Sequence, residues 1–186
     1  PSGSAAHNGG SEWGIHNMAH SYPFGFDNIF EVDPPQNDFK TVLHEYFHVA
    51  QKASVYSLDR DIIDDYLKPN NTIWMMEGGA EYMANYTLFK LSNNGTLSFE
   101  KPWGSLKQKM TQKMENGKRI FQQDCPNSLL SEFNHQFCRD PGYDLGSWGV
   151  AYLINKVNNK KVLLETFYPN LKKLGFEGAF NLSFGY

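Results

Sequence analysis

Apolar and polar positions along the chain fall into two regimes, divided at Pro34-Pro35. Upstream, residues 1–33 mix Gly, Ser and Asn with aromatics, and pieces such as Gly14-Ile15-His16 and Asn28-Ile29-Phe30-Glu31-Val32 read as strands between turns. Downstream the pattern turns helical. Asn37 or Asp38 can cap a helix over about 38–54, and Thr72 can cap a second over about 73–91. Gly78-Gly79 inside the second segment cost helix propensity, roughly 1 kcal/mol each against alanine, so close packing against the first helix is expected there. Further helices are predicted at about 104–114, 146–155 and 160–168, with breaks at Gly95 and Asn116-Gly117.

These elements predict an α+β class. One domain covers 1–186, with residues 1–37 as a small β-rich part and 38–186 mainly helical. The chain has 186 residues, 40% hydrophobic and 15% aromatic, enough for a core of its own, and 20% charged residues with a net charge of -3 suit a soluble surface. That balance excludes the clustered positive charge a nucleic-acid partner needs. The one local cluster, Lys107, Lys109, Lys113, Lys118 and Arg119, reads as a solvated helix face.

No stretch reaches the roughly 20 apolar residues required to cross a bilayer, and Pro1-Ser2-Gly3-Ser4 does not open a charged, then apolar, leader. Cys125 and Cys138 are spaced for a loop-closing disulfide, with two free core thiols as the alternative. Asn-x-Ser/Thr sequons occur at Asn71, Asn85, Asn94 and Asn181, although Asn85 falls inside a predicted helix, a poor place for an acceptor. A secreted or extracytoplasmic protein is the expectation.

The chemistry concentrates in His44-Glu45-Tyr46-Phe47-His48. Residues four apart lie one above the other on a helix, so imidazoles at 44 and 48 can converge on one cation. Neutral imidazole suits Zn²⁺, and a catalytic zinc takes three protein ligands and leaves a position for water. Glu45, one residue along from the first ligand, is aimed beside the ion and toward that water, where it can act as general base.

A third ligand is required, and Glu77, 29 residues beyond His48, offers it. An acid among Trp74, Met75, Met76, Ala80 and Tyr82 is expensive to bury unpaired, and a metal compensates its charge. Glu81, one turn on, can hydrogen-bond the other ring nitrogen of a zinc-bound histidine and fix its tautomer. His7, His16, His20 and His135 lack ligand spacing with a partner acid.

His44-Glu45-Tyr46-Phe47-His48 followed by Trp74-Met75-Met76-Glu77-Gly78-Gly79-Ala80-Glu81-Tyr82 resembles the H-E-x-x-H and E-G-x-A-E blocks of gluzincin metallopeptidases, and the second block is similar to that of bacterial collagenase-like peptidases. The likeness covers about 38–91. It implies a zincin-like fold, in which an active-site helix and a glutamate-bearing helix stand beside a small sheet whose edge strand binds extended substrate. It also implies one Zn²⁺ per chain and a peptide or protein substrate.

The Gly-x-Met-Glu-Asn block of gluzincin aminopeptidases is absent, which favours an endopeptidase, and no histidine follows His48 at the metzincin spacing. Gluzincins often add a Tyr or His that donates to the oxyanion. Tyr143 is the candidate, because Tyr143-Asp144-Leu145-Gly146-Ser147-Trp148 resembles the tyrosine-then-helix segment of such families, while Tyr152 reads as core. The alternative is a catalytically silent zinc-binding or substrate-binding module. Oligomeric state is open.

Overall fold

The computed structural model describes residues 35–54, 73–98, 103–129 and 138–186. Among these residues five α-helices follow in chain order: α1 (Pro35–Ser54), α2 (Ile73–Asn93), α3 (Leu106–Asp124), α4 (Arg139–Val157) and α5 (Tyr168–Phe184), with a π-helical turn, Leu163–Phe167, leading into α5. No strand occurs among the described residues, so the expected α+β class, and with it the zincin-like sheet, gives way to a helical arrangement. Residues 1–34, where the strands were expected, lie outside the described residues. Pro35-Gln36-Asn37, assigned to the β-rich part, are instead the first turn of α1. A proline has no N–H to lose there, and its fixed φ already suits a helix start.

Tertiary packing moved the other boundaries. α3 runs past Met114 and through Asn116-Gly117 to Asp124. Gly117 is buried there, and a Cβ on it would lie 2.9 Å from Asp144 Cβ and Leu145 Cγ, so this glycine admits α4 instead of ending α3. Ser105 caps α3 by accepting from the Gln108 amide at 3.1 Å. α4 starts at Arg139, earlier than the expected 146, with Pro141 tolerated in its first turn. The last predicted helix divides into the π turn and α5, which bends at Gly175, where φ is +68°.

The core forms around α2, whose Met75, Ala80 and Leu88 are wholly buried. A helix apolar on all sides is a central one, and α2 packs on both α1 and α4. Its crossing with α4 is backbone on backbone: a Cβ on Gly78 would lie 2.3 Å from the Gly146 carbonyl carbon, and one on Gly146 2.4 Å from the Trp74 oxygen. Gly78 therefore serves α4 and not α1, as had been expected; Gly79 is the one that faces α1, with Gln51 and Phe47 nearby. Phe167, Tyr168 and Leu171 complete the core from the chain's end, each worth about 1.5–3 kcal/mol of burial.

Cys125, the C-cap of α3, is disulfide-bonded to Cys138, the N-cap of α4, with Cα atoms 6.1 Å apart. Closing a loop of this length restricts the unfolded chain by about 3 kcal/mol. Tyr152, expected in the core, is 52% exposed and stacks on Trp148 at 6.1 Å. Among the described residues, no helix is long and apolar enough to cross a membrane.

Candidate metal centre

His44 and His48 lie one turn apart on the face of α1 that meets α2, and both are buried, as is Glu77 opposite them. His44 Nε2 is 3.0 Å from Glu77 Oε2, His48 Nε2 is 3.1 Å from the same oxygen, and the two Nε2 atoms are 3.1 Å apart. Helical spacing supplies the first pair, and only the docking of α2 supplies the third corner.

The outer nitrogens set the tautomers. His44 Nδ1 is 3.2 Å from Glu81 Oε2, an acceptor, so the ring donates there. His48 Nδ1 is 2.7 Å from Gln51 Oε1. The Gln51 amide is itself oriented, since its Nε2 donates to the Met76 carbonyl at 2.9 Å and to the Tyr168 hydroxyl at 2.7 Å. Tyr168, fully buried, donates its own hydroxyl hydrogen bond to the Met75 carbonyl at 3.3 Å. With both Nδ1–H groups pointing outward, both Nε2 lone pairs turn inward toward the Glu77 carboxylate. Three electron-pair donors converge, which is the arrangement a cation satisfies.

The donor set fits a first-row divalent ion. Ligands 2.0–2.1 Å from one ion stand about 3.3 Å apart in a tetrahedron and about 3.0 Å apart on one octahedral face, and the observed edges are 3.0–3.1 Å. His44, His48 and Glu77 thus form a buried group able to hold a metal ion.

Protons compete for the same atoms. Burial opposes charge on His44, but hydrogen bonds to Glu77 and Glu81 outweigh it and the ring is pushed up to about 9. Burial likewise disfavours the Glu77 carboxylate, yet His44 and His48 hold it far below the usual carboxylate range. Glu81 is also held well below that range: hydrogen bonding to His44 and the charges of Lys40 and Lys113 outweigh its burial.

Glu81 lies beside His44, and its Oε1 is 2.9 Å from Lys40 Nζ and 2.6 Å from Lys113 Nζ. Lys113 is therefore part of the site's support and not of a solvated face; Lys107, Lys118 and Arg119 are exposed as expected. Asn85, the sequon inside α2, is buried and donates to the Glu81 carbonyl at 2.7 Å. Glu45 is half-buried on α1 next to His44. Tyr143 lies within α4, its ring parallel to that of His44 with centroids 5.8 Å apart.

Gln51 and Tyr168 were not singled out from the sequence. Gln51 had a readable signal, three residues after His48 on the same helix, whereas Tyr168 arrives from 117 residues beyond Gln51 and had none. His7, His16, His20 and His135 lie outside the described residues. No family model matches the chain, and neither does any curated protein or solved structure with which it was compared.

Proposed function

We propose that the chain is a zinc-dependent peptidase, acting within peptide chains. The observation that carries this reading is the inward convergence of His44 Nε2, His48 Nε2 and Glu77 Oε2, each imidazole turned by its own outer partner. Support also comes from the likeness of the His44–His48 and Glu77–Glu81 blocks to gluzincin metallopeptidases. Zinc bound there supplies Lewis acidity, polarising a carbonyl and lowering the pKa of water to about 7.

The protein's own residues do the rest. His44, His48 and Glu77 hold the ion, and Glu81 and Gln51 keep the two rings in the binding tautomer. Glu45, adjacent to the first ligand, takes the proton of the attacking water and returns it to the leaving amine. Tyr143, packed on the His44 ring, donates to the developing oxyanion. The Cys125–Cys138 bond supports an oxidising, extracytoplasmic setting.

The test is elemental analysis of the purified chain beside Glu77→Ala, followed by digestion of an unstructured protein mixture. About one zinc per chain is expected, lost in the variant, with cleavage abolished by a chelator and restored by zinc. Another metal in place of zinc, or zinc with no cleavage of any unfolded substrate, would overturn the assignment.

A further inference from the structure

Beside the metal cluster, and separated from it by Glu81, the described residues form an open polar depression of about 260 Å³ lined by Lys40, Trp103, Lys109, Gln112, Lys113 and Asp144 among others. Two of its three lysines are committed. Lys113 Nζ is 2.6 Å from Glu81 and 2.9 Å from Asp144, and Lys40 Nζ is 2.9 Å from Glu81. Among the described residues, two carboxylates thus face three ammonium groups, and one ammonium is in surplus.

Lys109 carries that surplus. Its Nζ sits 4.3 Å from the centroid of the Trp103 ring, a cation–π contact that leaves its N–H donors available. Burial, and then the neighbouring charges of Lys40 and Lys113, push its amine below the usual lysine range. Trp103, which lines the pocket, carries an unsatisfied donor. It is 4% exposed, and its indole Nε1–H has no acceptor among the described residues. Buried donors are almost always satisfied, and an orphan marks a place where a ligand or ion completes the structure.

We propose that this pocket binds a carboxylate, held by the Lys109 ammonium and the Trp103 indole N–H. The charge count selects a monoanion, since a phosphate dianion needs a second free cation and Glu81 and Asp144 have already taken Lys113 and Lys40. Two carboxylate oxygens match two donors of different kind. The inference does not depend on the metal or on peptidase activity.

The Trp103 indole resonance in a proton–nitrogen correlation spectrum, assigned with Trp103→Phe, reads this site directly. Acetate, titrated against sodium chloride at equal ionic strength, is expected to move the indole proton downfield and to saturate. Lys109→Gln should weaken that response at least tenfold while leaving the far-ultraviolet circular dichroism unchanged. Peptides bearing only a glutamate side chain or only a free C-terminal carboxylate then show which source of carboxylate fits. No shift beyond the chloride control, an undiminished shift in Lys109→Gln, or a response to inorganic phosphate but none to acetate would each overturn the proposal.

Discussion

His44 and His48 present their Nε2 atoms to each other at 3.1 Å, edge to face, with ring planes 82° apart. Each ring is held in that posture from behind, by the Glu81 carboxylate in one case and the Gln51 amide in the other.

If those outer partners set the tautomers, Glu81→Gln and Gln51→Leu should each weaken zinc binding by about 10–100-fold without removing a ligand. Competition against a coloured chelator measures this, with Glu77→Ala as the reference for a lost ligand. Affinities within twofold of wild type in both variants would show that the rings are fixed by other means.

Glu45→Gln separates holding the ion from using it. Zinc content should stay at wild-type level, because the three donors are intact, while hydrolysis falls by about 10²–10⁴-fold, the usual worth of a general base. Wild-type turnover in this variant would remove Glu45 from the mechanism.

Stability of the metal-free chain should depend on pH with a definite sign. The His44 ring is raised from 6.5 to about 9 by its carboxylate neighbours, against its burial. A folded-state value above the unfolded one stabilises the fold fully below pH 6.5, and that contribution fades as pH rises through about 9. Glu77 and Glu81 stay ionised throughout this window and add no slope of their own. The thermal midpoint of chelated protein is therefore expected to fall between pH 6.5 and 9, and zinc affinity to climb over the same range as the proton leaves. A midpoint that rises over that range would contradict the ion pairing of His44.

At the crossing of α2 with α4, Gly78→Ala and Gly146→Ala each drive a methyl into backbone, at 2.3 and 2.4 Å. Losses at or above the usual overpacking range of about 1–3 kcal/mol are expected, because neither helix backbone can move aside as a side chain would. Gly149→Ala meets only Trp74 ring atoms, at 3.7 and 3.9 Å, and should be neutral or stabilising by up to about 1 kcal/mol from helix propensity. Urea unfolding of the three variants checks the contrast, and equal costs at 146 and 149 would count against it.

The site was more legible in the sequence than the fold was. His44 and His48 are related by helical spacing alone, and Glu81 follows Glu77 by the same rule, so these pairs could be read locally. The sheet expected before Pro35 came from short apolar pieces between turns and from the family resemblance, and such pieces describe local chain preference and carry no information about pairing partners. Asn116-Gly117 looked like a break because its local propensity is poor, yet α3 continues through it since α4 needs the room Gly117 leaves. Tyr152 looked like core from its apolar neighbours, but its position on α4 turns it outward.

By itself, then, the sequence determined which donors share a helix face and which acid stands one turn from another, because these are consequences of 3.6 residues per turn. Only the tertiary structure decided that Glu77 closes the triangle, that Tyr168 steadies Gln51, that Lys113 turns inward to Glu81, and that Gly78 meets Gly146. Each of those contacts joins residues on different helices, and the docking of whole helix faces, which no local spacing encodes, brings them together.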